Sequence, residues 1–394
     1  MLSKLEEHFS AIPDNREQYK VRYPLFDVIL TTIVGVICGA DGWEAIEEVG
    51  KSKLSLLKKY GYFHFGIPVH DTIARVISAI EPEQFHDCFI QWMKSAELST
   101  QGEIIAIDGK TVRRSYDKQS KQAAIHMVSA FAAENGVVLG QVKTSEKSNE
   151  ITAIPELLSK LDIKGAVVTI DAMGCQKSIA ADIIKKEADY VLALKGNQGR
   201  LHTAIKDFFD IAVEEEFKKV SHHCNEEVNK GHGRIEERRY WFTEELSSLK
   251  DLTSVWPGLT RIGMVESTRH VGEKTTIERR YYLSSLKQHD EMLAKSIRRH
   301  WSVENELHWV LDVSFREDDS RIRRGNAAEN MATARHITLN MLRQETTCKK
   351  GIKAKRFKAA LDTDYAEKVL VTVFLGAYAF ALSWGAGYFF VVHI

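Results

Sequence analysis

Between residues 103 and 197, short apolar runs alternate with stretches of helical period, and two of those runs end in an aspartate. EIIAIDGK (103–110) is a β-rich run that closes in a turn, and AIHMVSAFAAENGVVLGQVKT reads as two strands joined at 134–136 by an Asn-Gly hairpin signal. ITAIPELLSKLDI carries Ile151, Ile154, Leu157, Leu158 and Leu161 at helical spacing, GAVVTIDA is a strand, CQKSIAADIIKKEA a helix and DYVLALKGN a further strand. The order strand, hairpin, helix, strand, helix, strand predicts an α/β sheet with a few antiparallel strands at one side.

The two aspartates stand in matching places. Asp108 ends the strand IIAI and Asp171 ends the strand VVTI. In an open α/β sheet the strand ends are where ligands gather. A lone strand-end Asp is usually a turn or cap residue. Two on neighbouring strand ends resist joint ionisation unless cations lie between them, and oxygen ligands favour hard ions such as Mg²⁺ or Mn²⁺. A third acid is expected from the later helical stretch RRHWSVENELHWVLD, which offers Glu304, Glu306 and Asp312. Trp301, Glu304, His308 and Asp312 share one helical face, which gives Glu304 a modest lead. A Glu/His metal pair through His308 is the rival reading.

The flanks differ in character. Residues 1–98 read as helical, with an apolar run at 25–40 and a stripe of Ile73, Val76, Ile77 and Ile80 in IPVHDTIARVISAI. With Arg75 outward this is either a helix-turn-helix reader of DNA or a plain helical bundle. Residues 200–287 read as a β-rich insertion of strand-like ERRYWFT, RIGMVEST and TIERRYYLSS before helices resume. A basic stretch, RIRRGNAAEN, and a basic run, KKGIKAKRFK, follow. The end, 369–394, has no Asp, Glu, Lys or Arg and is long enough to span a bilayer; it reads as a packed helix, an altered gene end or a membrane segment.

Composition narrows the classes. At 394 residues the chain has room for two or three domains, and 44% hydrophobic with 27% charged residues is globular composition. Lys+Arg and Asp+Glu both number 54, so any nucleic-acid contact must come from local basic patches. Five scattered cysteines without a CxxC pair argue against a disulfide framework, and the charged amino-terminus lacks the apolar core of a secretory signal, which points to a reducing cytoplasm. His222, His223, Cys224 and His232 match no standard zinc spacing, and Cys175 reads as packing.

The strings IAIDGKTVRRSYD, KSNEITAIPELL, TIDAMGCQK, LALKGNQG, HWSVENELHWVLDV and EDDSRIRRGNAAEN closely resemble the H-repeat-associated insertion-sequence transposases of the DDE superfamily, over about residues 1–368. The resemblance implies an RNase H-like catalytic core with a β-rich insertion at about 200–287, an all-α N-terminal associated domain over 1–98, a catalytic domain over 99–368 and an atypical apolar tail at 369–394. Matched residue by residue, the catalytic and metal-holding acids fall on Asp108, Asp171 and Glu304, with two Mg²⁺ or Mn²⁺ ions between them. The expected activity is cleavage at element ends and joining of the 3′ ends to target DNA, by a homodimer on paired ends in a bacterial, nucleoid-associated cytoplasmic setting. Lys110, Lys195, Asn197, Arg299, Arg321, Arg323 and Arg324 are the candidate DNA contacts. For Lys195 and Asn197 the alternative is a plain turn, and for the arginines a salt-bridged surface. The alternative function is a DNA-binding transposon relic without activity.

Overall fold

A computed structural model describes residues 2–116, 123–144, 150–231, 234–287 and 290–372. The tail beyond residue 372 and His232 of the zinc reading lie outside the described residues. Among the described residues no helix is long and apolar enough to cross a membrane.

In chain order the elements are helices α1 (Leu2–Phe9), α2 (Leu25–Ile37), α3 (Trp43–Ser52), α4 (Leu54–Leu57), α5 (His70–Ala79) and α6 (Pro82–Lys94), then strands β1 (Ile104–Thr111), β2 (His126–Ala132) and β3 (Val137–Lys143). There follow α7 (Glu150–Lys160), β4 (Val167–Ile170), α8 (Lys177–Lys185), β5 (Asp189–Leu194), α9 (Gly199–Glu214), β6 (His223–Gly231) and β7 (Arg234–Thr243). The chain continues with α10 (Lys250–Thr253), β8 (Arg261–Val271), β9 (Lys274–Ser284), α11 (Asp290–His300), α12 (Trp309–Phe315), α13 (Ala327–Gln344), α14 (Ile352–Leu361) and α15 (Thr363–Val371). The fold is mixed α/β. It divides into two compact units, one of Met1–Ser99, Gly109–Lys147 and Glu304–Ile394, the other of Thr100–Asp108 and Ser148–Val303. Each is assembled from non-contiguous segments.

In the first unit, α2 is buried all round, from Phe26 to Ile37, and is apolar apart from Asp27, Thr31 and Thr32. It approaches α3 closely at Gly35, where a Cβ would stand 3.0 Å from Ile46. Asp27, at the start of α2, accepts hydrogen bonds from the backbone N–H groups of Tyr62 (2.9 Å) and Phe63 (2.7 Å) and so fixes the loop before α5. Replacing Asp27 with Ala leaves the buried Phe63 amide and the part-buried Tyr62 amide without their acceptor. We expect a loss of about 2–4 kcal/mol in denaturant unfolding; a loss below 1 kcal/mol would mean water replaces the carboxylate.

The other buried helix, α13, is polar. Ala327 to Leu342 are all buried, and two of its asparagines hydrogen-bond to the backbone of neighbouring elements. Asn340 accepts from Val138 N and donates to Val138 O, both at 2.8 Å, closing the ladder of β3 as another strand would. Asn330 donates to Ile77 O and Ile80 O at the end of α5. Part of the basic run is interior as well. Lys355 donates to Leu342 O (2.7 Å) at the end of α13, and Arg356 donates to Val36 O (2.9 Å) at the end of α2. Cations at helix C-termini satisfy carbonyls that have no intrahelical partner.

In the second unit the strand order is β1-β4-β5-β9-β8-β7-β6. β1, β4 and β5 are parallel, and β9 joins β5 antiparallel, with Leu192 opposite Leu283. The region expected as a β-rich insertion thus opens with a helix, α9, and its strands continue the same sheet. One face is closed by α11, whose Leu293, Ala294 and Ile297 pack with Val167, Val191, Tyr240, Phe242 and Val265.

Candidate active site

β1 and β4 pair in parallel from Ile104↔Val167 to Ile107↔Ile170. The next residue on each strand is an acid, so Asp108 and Asp171 occupy the same row at the carboxyl ends of adjacent strands. Side chains alternate faces along a strand. Val167 packs beneath α11, and the Thr169 hydroxyl meets His300 Nδ1 at 3.0 Å at the end of α11. Alternation therefore places Asp171, with Asp108 opposite it, on the face that α11 covers. Burial holds the His300 imidazole down to about 4, so this contact is neutral near pH 7.

Both carboxylates are half-buried. Asp171 Oδ1 accepts from Met173 N (2.9 Å) and Gly174 N (3.4 Å), which aims the carboxylate through a tight turn. No cationic side chain pairs with Asp171 among the described residues, so its charge is left for another partner. Gly174 has no room for a side chain, since a Cβ would lie 2.3 Å from Ile170. The neighbouring β5 ends in Lys195, Gly196 and Asn197. Asn197 Nδ2 donates to Ala172 O (2.6 Å) and Gln198 Nε2 to Cys175 O (2.9 Å), tying that turn to the Asp171 loop. Asn197 thus has a structural task, while Lys195 is exposed. Arg299 lies half-buried in the last turn of α11. Cys175 is packing: burial drives its thiol up to about 12.

Glu304 belongs to the first unit. It is exposed and sits in a π-helical turn, Val303–His308, directly before α12. Such turns widen a helix and release carbonyls, and they are frequent at functional positions. One released carbonyl, Glu306 O, accepts from Arg343 Nη2, while Arg343 Nη1 donates to Gly136 O (2.9 Å) and the guanidinium lies 5.0 Å from the Phe131 ring. Burial lowers Arg343 to about 10, and it stays charged near neutrality. Nothing in the sequence marks the π turn or its arginine, which is one of two in α13.

Lys110 is largely buried, and its ammonium lies 2.8 Å from Asp312, 3.0 Å from Asp318 and 3.4 Å from Glu317. Glu317 in turn pairs with Arg335 at 3.3 Å. Burial opposes the charge on Lys110, but Glu317, Asp312 and Asp318 outweigh it and raise the pKa. Asp312, one alternative third acid, is thereby engaged by Lys110. His308, the rival metal ligand, is lowered to about 3 by burial. In the basic stretch Arg323 donates to Arg114 O (2.7 Å) and covers the Tyr116 ring at 4.7 Å, whereas Arg321 and Arg324 are exposed. His223 pairs with Asp290 at 3.0 Å rather than with a zinc set.

Among the described residues no group of three or more His, Cys, Asp or Glu is assembled to hold a metal ion. The acids do suit a hard divalent cation in kind: Asp108 and Asp171 share one row, and among the described residues no cationic side chain neutralises Asp171. Residues 99–341 match the transposase DDE domain family, and residues 6–93 match the DDE_Tnp_1-associated family. The chain is 48% identical over 373 residues to the "H repeat-associated putative transposase YhhI" of Escherichia coli K12, covering 94% of this chain and 98% of that one. It is 50% identical over 374 residues to the "Putative transposase YncI" of Escherichia coli O157:H7, covering 94% of this chain and 95% of that one. A cryo-EM structure of the piggyBac transposase synaptic complex with hairpin DNA superposes with a TM-score of 0.41 at 10% identity, over 99% of this chain and 82% of that one, too slight a likeness to bear on the assignment.

Proposed function

The chain belongs to the DDE-domain transposase family, and we propose that it is an insertion-sequence transposase that cleaves phosphodiester bonds at element ends and joins the 3′ ends to target DNA. The reading is carried by the row of Asp108 and Asp171 at the carboxyl ends of paired parallel strands, on the face closed by α11. We assign Asp108, Asp171 and Glu304 as the catalytic and metal-holding acids of an RNase H-like core, with residues 1–98 as an all-α associated domain.

The family uses divalent metal ions, and Mg²⁺ or Mn²⁺ bound as a pair supplies charge neutralisation at phosphorus and activation of water or a 3′-OH. The chain's own residues then have separate tasks. Asp171 is aimed by the Met173 and Gly174 amides, and Asn197 keeps that turn in place. The exposed side chains of Lys195, Arg321 and Arg324, with Arg299, hold phosphates, and this charge-assisted contact positions the strand without reading its sequence. Lys110, Arg323 and Asn197 act on DNA by holding their loops, because their polar atoms are bonded within the protein. A homodimer on paired ends completes the proposal.

The test is incubation of the full chain with DNA carrying its element's ends, in Mg²⁺ and in EDTA. We expect nicking at the element ends in Mg²⁺ and none in EDTA. DNA that is bound but left intact in Mg²⁺ would replace this reading with the inactive relic.

A further inference from the structure

Beside α5, the loop that leads into α2 encloses a cleft of about 720 Å³ within the first unit. Its lining carries four cations, Arg16, Lys20, Arg22 and Arg75, against two acids, Asp14 and Glu17. Both acids are already taken. Arg16 grips Asp14 with two hydrogen bonds, at 2.7 and 2.6 Å, and Lys20 pairs with Glu17 at 2.5 Å. The excess charge is therefore that of Arg22 and Arg75, which are exposed and have no ion-pair partner among the described residues.

Arg22 is held without being neutralised. Its guanidinium lies 5.7 Å from the Tyr23 ring and 5.1 Å from that of Phe65, a side chain 58% exposed. Stacking on ring faces fixes a guanidinium while leaving its N–H edge open to a phosphate. The cleft's lining also has an apolar share, with Leu25, Val69 and Val76 beside the ring of Tyr23. Asn326 of the arginine-rich stretch donates to Ile80 O at the end of α5, which brings the chain next to Arg324 to the same cleft.

We propose that this cleft seats an unpaired nucleotide at the end of a DNA strand, its base on the apolar residues beside Tyr23 and its phosphates on Arg22 and Arg75. A partly apolar, ring-lined hollow flanked by two unpaired guanidiniums fits a base with its phosphates and not a duplex groove, which has no exposed base face to bury. The inference rests on the transposase reading, and names where the amino-terminal region meets DNA.

The experiment measures binding of the full chain to a fluorescent duplex with and without a short single-stranded oligothymidine extension, in EDTA. The extended DNA is expected to bind about tenfold more tightly, as stacking of one or two bases provides. The double variant Arg22→Gln/Arg75→Gln removes that preference and lowers the salt slope for the extended DNA by about 1.4, the share of two single-strand phosphates. Thr72→Trp, which fills the cleft and keeps its charge, removes the preference without the loss of slope. Wild-type binding to neither DNA would overturn the transposase reading itself. Wild-type binding without preference for the extension, or a preference that survives in both variants, would overturn the cleft alone.

Discussion

Asp171→Ala is expected to lower Mg²⁺-dependent nicking by more than about 10²-fold, since it removes a proposed direct metal ligand and not merely its support. Asp108→Ala and Glu304→Ala have the same expected result. DNA affinity should stay near wild type in each, or rise, because a negative charge beside the phosphate is lost. The two aspartates share one row at the ends of β1 and β4, so the double variant should be little worse than either single one. Residues acting as a unit are not additive. Gel assays of nicking beside a binding titration separate these effects. Retained cleavage in any one variant would remove that residue from the proposed trio.

The second large effect concerns stability. Lys110→Met leaves Glu317, 2% exposed, and its neighbours Asp312 and Asp318 without their shared cation. Removing one partner of a buried ion cluster costs about 3–5 kcal/mol. The pH dependence follows from linkage. In the wild type Lys110 is raised by its carboxylates, so its contribution is present below the unfolded lysine value and is lost only as pH rises through the higher folded value. In the variant the sign is different. Burial already raises Asp312 against the pull of Lys110, and without Lys110 it rises further. The folded variant then binds protons more tightly than the unfolded chain, so its deficit should shrink as pH falls from about 8 to about 5. Thermal unfolding across that range measures it. A deficit that is constant with pH would mean that lost packing, not charge, is responsible.

The parts legible in the sequence were local. Asp108 and Asp171 each close an apolar run, which is visible in a single window of residues, and the family motifs around them are long. The register that puts them in one row is a tertiary fact; no pattern in IIAID or VVTID specifies it. The helical stretch holding Glu304 was legible, but its π turn was not, since that turn depends on Arg343 reaching Glu306 O from a distant helix. Lys110 follows Asp108 closely enough to read as a phosphate contact, and that spacing gives no sign that its ammonium meets three acids some two hundred residues later.

Polar patterning was equally silent about burial at the carboxyl-terminal side. MATARHITLNMLRQE lacks a wide apolar stripe, yet α13 is buried along its length, with the amide nitrogen of Asn330 donating to α5 and Asn340 paired with the backbone of β3. KKGIKAKRFK reads only as a basic run, and nothing in it shows that Lys355 and Arg356 donate to carbonyls at two buried helix ends. In each case hydrogen bonding offsets the cost of burying polar atoms, and partners far apart in sequence leave no periodic signal.

The central claim is that these acids bind the metal used to cut DNA, and metal rescue tests it most directly. Asp108→Cys, Asp171→Cys and Glu304→Cys would each be assayed for nicking of element-end DNA in Mg²⁺ and in Mn²⁺. A thiolate is a poor ligand for Mg²⁺ and a better one for the softer Mn²⁺. The account predicts negligible nicking in Mg²⁺ and partial recovery in Mn²⁺ for all three, with no recovery in the matching Ala variants. Equal activity in the two metals, or Mn²⁺ rescue of the Ala variants as well, would contradict it.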